Sequence, residues 1–276
     1  MTLWEIRKEV PKGVKVIAGV AGWLFVIFLW FIVTGKGLLP PISLPHPIGV
    51  IDAFKLLLTE YDLLGNVAQS WWRIAQAFLC SAIVAIPLGI LMSSFKFVHA
   101  LVNPIAAPMR SMPITAFLPA MIALFGIEEA MKIAFLVLGI FFYLLAVAEE
   151  EGNRVGQEIL ETAYTLGAKK SQVLWLTFRA AFPSIYSSFR ILYDIGWTYV
   201  ILAEIVNSRK GVGYMIEAAR KMLDFDRVYA GIIAIGVAAF LFRWLLKQSE
   251  QWLFPWQRVG RATPATKFLK IVWGRQ

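Results

Sequence analysis

Val16-Ile17-Ala18-Gly19-Val20-Ala21-Gly22-Trp23-Leu24-Phe25-Val26-Ile27-Phe28-Leu29-Trp30-Phe31-Ile32-Val33 is an apolar run without one charged side chain. A helix of about 20 such residues crosses the roughly 30 Å hydrocarbon core of a bilayer. Arg7, Lys8, Lys12 and Lys15 precede the run, and Gly35-Lys36-Gly37-Leu38 follows it. The run is long for a secretory h-region and has no convincing small-residue cleavage site after it, so we read an uncleaved span with its N-terminus inside. Leu3, Ile6 and Val10 share one helical face, which places residues 3–10 on the membrane surface.

The rest of the chain agrees with a lipid environment. Of its 276 residues, 59% are hydrophobic and only 16% charged, with a mean hydropathy of +0.66. A soluble domain carries about 25% charged residues. The net charge of +9 would suggest nucleic acid in a soluble protein. In a membrane protein it reads as Lys and Arg gathered in cytoplasmic loops. No nucleic-acid recognition module is evident. Cys80 is the single cysteine, so no intrachain disulfide and no Cys/His metal spacing exist.

Working outward, the proline-rich stretch 39–47 cannot be helix interior. Residues 48–64 suit a short amphipathic helix with Ile51, Phe54, Leu57 and Leu58 on one face. Further spans are expected at about 67–92, 101–125, 131–147, 184–206 and 229–246, giving an all-α, polytopic protein of about six transmembrane helices. Lys96 and His99 mark a short inner loop. Arg73 and Gln76, near the outer end of the second span, suit snorkelling. The third span contains Pro104, Pro108, Pro113 and Pro119. A helix so interrupted should be packed in protein or line a cavity. The division expected is a cytoplasmic interfacial segment 1–15, a transmembrane domain 16–247, and a basic cytoplasmic tail 248–276 carrying Arg258, Arg261, Lys267, Lys270 and Arg275. Arg209, Lys210, Arg220, Lys221 and Arg227 would then lie outside, against the positive-inside trend. They form either a docking surface or a solvated amphipathic helix.

The segment 149–183 is charged and long enough for two short helices. Glu161-Thr162-Ala163-Tyr164-Thr165-Leu166-Gly167-Ala168 reads as a helix ended by Gly167, which tolerates positive φ. A second helix at about 171–178 follows, with Ser171 as N-cap candidate. Such a knob between two spans is either a docking element or an ordinary solvated loop. Charges inside the bilayer are costly and are functional candidates. Arg110, Arg190 and Glu204 qualify, with Asp194 and Arg243 behind them. Arg110, followed by Met112 and Pro113 in the proline-broken span, is a candidate for a substrate pathway, or else pairs with carbonyls or Glu204 to fix packing. Arg190 lies near the inner boundary, where it would snorkel. Glu204 suits a gate or a salt bridge.

The knob resembles the EAA coupling loop of the membrane subunits of bacterial ABC importers, whose pattern is E-A-A-x-x-x-G with a downstream proline. Glu161, Ala163, Gly167 and Pro183 fall on it, Ala168 follows, and Thr162 replaces the first alanine. Leu44-Pro45-His46-Pro47, Pro87-Leu88-Gly89, Arg110-Ser111-Met112-Pro113, Phe125-Gly126-Ile127-Glu128, Ala203-Glu204 and Gly211-Val212-Gly213-Tyr214 resemble the nitrate/sulfonate/taurine/bicarbonate branch. Glu149-Glu150-Glu151 and Phe189-Arg190 depart from its usual residues. The resemblance implies a permease subunit in the bacterial inner membrane, with both termini cytoplasmic. It implies import of a small anion, with no catalytic residue in this chain. Its partners would be two cytoplasmic ATPases holding ATP and Mg, a second permease subunit (an identical one by expectation), and a periplasmic or lipid-anchored substrate-binding protein. The chain has no G-x-x-x-x-G-K-[ST] loop of its own. An ATP-independent channel or secondary transporter is the alternative, predicting paired repeats with broken helices.

Overall fold

Long apolar runs in lipid must satisfy their own backbone, and helices do so within a single segment. The structure, a computed structural model, describes residues 10–206 and 208–258, and every regular element among them is a helix. The expected surface segment 3–10 falls almost wholly outside the described residues. So does the tail beyond Arg258, with Arg261, Lys267, Lys270 and Arg275.

In chain order the helices are α1 (Lys12–Gly35), α2 (Pro47–Thr59), α3 (Leu63–Ser94), α4 (Lys96–Ser111), α5 (Leu118–Phe125), α6 (Glu129–Asn153), α7 (Gln157–Thr165), α8 (Lys170–Ile205), α9 (Val212–Lys221) and α10 (Phe225–Leu253). Short 3-10 turns occupy Ile114–Phe117 and Pro255–Arg258. α1, α3, α6 and α10 are long and apolar enough to cross a membrane. The α4–α5 pair, bent by 99°, passes the same test only when its two helices are taken together, as a broken span or a re-entrant loop. The fifth span expected in chain order, 184–206, is the far part of α8. That helix has the length, but Arg190, Asp194 and Glu204 dilute its apolar character.

The described chain forms two compact units. One holds the residues up to Leu63 with Met215–Ala234, the other Leu64–Tyr214 and the residues from Ile235 on. In the first unit, His46 caps α2 by accepting from the Ile48 N–H at 3.3 Å. The Trp30 indole donates to the Pro45 carbonyl at 2.9 Å, and the Tyr229 hydroxyl to the Ser43 carbonyl at 2.7 Å. The proline-rich stretch is thus tied down by side chains, since its own backbone has few donors to offer. α2 buries Val50, Ala53 and Leu57, while Ile51 and Leu58 are exposed. The buried face is therefore rotated from the expected one. Apolar residues stand on both sides of this helix, so periodicity alone did not choose between them.

In the second unit, α3, α6, α8 and the far part of α10 pack around two apolar cores. Ile86, Ile90, Leu144, Leu145, Ala148 and Ile185 form one. Ile74, Leu136, Ile140, Trp197 and Val200 form the other. The second arm of the bent α4–α5 pair, with Ile114, Leu118 and Ile122, packs on Met131, Phe135 and Ala203. Lys96 and His99 are not in a loop: they lie in the first turn of α4, separated from α3 by Phe95 alone. His99 pairs with Glu149 at the end of α6.

Candidate functional site

Two parts of the second unit carry the candidate functional residues. The first is the turn between α7 and α8. α7 closes with the Ala168 N–H donating to the Ala163 carbonyl at 3.0 Å and the Gly167 N–H to the Tyr164 carbonyl at 2.9 Å. This is the Schellman arrangement, which needs a left-handed residue at its C′ position. Gly167 supplies it, with φ +82°. The turn turns apolar side chains outward: Leu166 is 82% exposed, with Tyr164 and Trp175 also exposed. Ala163, Leu166, Ala168, Trp175, Leu176 and Arg179 line one open groove. Glu161 is exposed on α7.

Two expectations about this segment are corrected. Ser171 is not the N-cap; Lys169 holds that place, and its N–H donates to the Gln172 side chain at 2.7 Å. Nor is the second helix short. It is the start of α8, a single 36-residue helix that runs through a buried Pro183. At 1.5 Å per residue that element is about 54 Å long, so the turn sits at the head of a rod reaching Glu204.

The second part is a buried charge cluster at the far end of α8. Glu204 is 1% exposed. One of its oxygens accepts from Arg73 and Ser70, each at 2.7 Å. The other accepts from the Gly213 N–H at 2.8 Å. Arg73 also donates two 2.7 Å hydrogen bonds to Glu129, in a fork, and one of 2.8 Å to the Lys210 carbonyl. Lys132 donates to Glu129 at 3.1 Å. The Val212 N–H donates to Ser70 at 3.0 Å and the Gly211 N–H to Asn66 at 2.7 Å. Two cations thus meet two carboxylates, and both oxygens of Glu204 are engaged. A buried pair is tolerable only on those terms. Chemically the cluster is a tie joining α3, α6, α8 and the start of α9.

Snorkelling is therefore wrong for Arg73, which is 1% exposed. Sequence reasoning missed it because it read Arg73, with Gln76, only as a long polar side chain near the end of a span. The available signal was Ser70 and Arg73 one turn apart on one helix, with carboxylates of opposite sign at 129 and 204. Of the pathway candidates, Glu204 belongs to this tie, and its partners do not include Arg110. Arg110 ends α4, half-buried, with no side-chain partner among the described residues; its carbonyl accepts from the Tyr143 hydroxyl at 3.1 Å. Met112 and Pro113 are exposed at the 99° bend. Arg190 reaches Glu250 at 3.4 Å and the Ser187 hydroxyl at 3.0 Å rather than extending freely.

Three of the five cations named in the basic stretch 207–227 are paired within it. Glu217 takes Arg220 at 2.7 Å and Lys221 at 3.7 Å, and Asp224 takes Arg227 at 2.6 Å. The Arg220 guanidinium holds the Glu217 carboxyl below its usual range.

Residues 85–255, which include the α7–α8 turn, match the binding-protein-dependent transport system inner membrane component. The chain belongs to this family. It is 30% identical over 259 residues to the taurine transport system permease protein of Escherichia coli (strain K12), covering 92% of each chain. It is 30% identical over 233 residues to a putative aliphatic sulfonates transport permease protein of Bacillus subtilis (strain 168), covering 84% of each. A nitrate import permease protein of Synechocystis is 28% identical over 244 residues, covering 84% of this chain and 86% of its own. This inner membrane component is thus a multi-pass membrane subunit of an ABC importer, working with ATPase subunits and a substrate-binding protein. It is a transport subunit and not an enzyme.

Proposed function

We propose that this chain, paired with a second permease subunit, forms the translocation pathway for a small anion of the sulfonate, taurine, nitrate or bicarbonate class. It couples to two cytoplasmic ATPases through segment 149–183. In this reading residues 16–247 form the permease domain, and segments 1–15 and 248–276 lie in the cytoplasm with the coupling turn. ATP and Mg are held by the ATPases.

The observation that carries the reading is the α7–α8 turn, where Leu166 is 82% exposed on a glycine-closed knob. An apolar side chain held out on a rigid turn suits a partner's pocket better than water. Glu161, Ala163, Gly167 and Ala168 shape that knob, and α8, running through Pro183, carries its displacement toward the opposite end. ATP binding then biases a two-state element. The relatives named for taurine, aliphatic sulfonates and nitrate support the substrate class. Arg110, with Met112 and Pro113 at the bend, is the pathway cation in this reading: a guanidinium with no side-chain partner among the described residues suits an oxyanion. Glu204 acts there through the tie that holds the far end together.

The test is co-purification of the ATPase with wild type and with Leu166→Asp. Wild type retains the ATPase, and the variant inserts in the membrane but loses it. Equal retention by both would remove the coupling role of this turn. For the pathway, Arg110→Ala with unchanged uptake would remove Arg110 from it.

A further inference from the structure

α7 and α9 end in the same hydrogen-bonded turn, but only α7 does so on a glycine. At the end of α9 the Asp224 N–H donates to the Ala219 carbonyl and the Leu223 N–H to the Arg220 carbonyl, each at 3.0 Å. This is the Schellman arrangement again. At the C′ position, where α7 has Gly167, α9 has Leu223 at φ +58°. In the left-handed region a Cβ crowds the following carbonyl oxygen, a cost that glycine avoids. No packing offsets that cost: Leu223 is 69% exposed, and Met222 beside it 68%. Strain held where packing does not require it points to function.

Met222 and Leu223 border a groove of about 590 Å³ whose walls include Pro41, Ile42 and Asp226. Ile42 is exposed as well, so the rim is apolar. Asp226 stands against Gly49, where a Cβ would come within 2.7 Å of its carboxylate oxygen. Asp224 is paired with Arg227 at 2.6 Å, whereas Asp226 has no hydrogen bond or ion pair among the described residues. The groove thus joins an apolar rim to one uncompensated carboxylate. Its complement is a surface that presents a Lys or Arg among apolar side chains. Lipid headgroups fit it poorly, because their phosphates repel a carboxylate.

Between α8 and α10 the chain contains only α9, whose ten residues are too few to cross a bilayer. In the proposed function α8 crosses once, so the α9–α10 turn lies on the side opposite the α7–α8 turn. The partner on that side of a binding-protein-dependent system is the substrate-binding protein. We propose that the Met222–Leu223 turn and the groove beside it seat the substrate-binding protein. Leu223 and Met222 enter a depression on its surface, and a Lys or Arg of that protein meets Asp226. The left-handed backbone fixes the direction in which Leu223 is held out, so little freedom is lost on docking. The proposal rests on the reading that puts the α7–α8 turn in the cytoplasm.

The test uses the permease–ATPase complex in lipid nanodiscs, titrated with the purified substrate-binding protein of the same importer. Leu223→Gly weakens binding about tenfold or more, as for the loss of an interface anchor. The same change leaves the melting temperature of the complex unchanged or raises it, because the backbone strain is relieved. Asp226→Asn weakens binding about twofold to fivefold and flattens its dependence on salt, as for a part-exposed ion pair. A photo-crosslinker placed at position 223 joins the binding protein. Unchanged affinity in both variants would overturn the proposal, as would an adduct with lipid or with a second permease copy. A Leu223→Gly complex that melts below wild type would show Leu223 packed within the permease and would also overturn it. An adduct with an ATPase would overturn the proposal together with the sidedness it rests on. Failure of the coupling reading alone looks different: Leu166→Asp then keeps its ATPase while the effects at position 223 stand.

Discussion

The two ends of α8 invert the usual rule of burial. At one end charges are inside: Arg73, Glu204 and Lys132 are nearly inaccessible. At the other, Leu166, Tyr164 and Trp175 are outside. The buried charges are satisfied within the chain, so they serve stability and alignment. The exposed apolar side chains are not, and in the proposed function they are covered by an ATPase. Each inversion is informative because the ordinary arrangement costs less.

Mutations that separate stability from assembly test this contrast. The largest loss of stability is expected from Arg73→Met, which leaves Glu204 buried and uncompensated, at about 3–5 kcal/mol. Arg73→Lys should lose less, because it keeps the charge and gives up the fork to Glu129. Thermal unfolding in detergent reads both, and a wild-type melt for Arg73→Met would dissolve the tie. Next is Gly211→Ala. Gly211 has φ +119°, and a Cβ there would overlap the Glu204 carboxylate. A loss of about 1–3 kcal/mol is expected from the backbone strain alone. Gly167→Ala follows at about 1–2 kcal/mol, since φ is +82° but the space around it is open. A cost equal to that of Gly211→Ala would mean that the turn, like the tie, is packed. The smallest effect on stability, within about 0.5 kcal/mol, is expected from Leu166→Asp, an exposed site. The same change should reduce retained ATPase about tenfold or more. A destabilised Leu166→Asp would show that Leu166 packs within the chain and would erase the contrast.

Much of the fold was legible because its signals are local. The apolar runs at 16–33 and 131–147 announce α1 and α6, and Pro113 marks the break that becomes the 99° bend. Gly167 ends α7 as its permissive φ allows. Other features were not local. Whether Lys169 or Ser171 caps α8 depends on Gln172 reaching back to a backbone N–H. Whether α8 stops before Pro183 or runs through it depends on the burial of that proline in the bundle. Segment 207–227 looked like a basic surface because counting charges cannot show that Glu217 and Asp224 already engage three of them.

The sequence by itself determined that this chain is helical and lives in lipid, and that a glycine closes the turn after α7. Composition, run length and a positive-φ residue are properties of neighbours along the chain. The tertiary structure alone decided the partners of each charge. Arg73 and Glu204 are 131 residues apart, and Asp194 and Arg243, which meet at 3.1 Å, lie on different helices. One pair became a buried tie and the other an exposed pair in a groove. The physical reason is that a charge in a bilayer is defined by what faces it, and only packing brings distant helices face to face.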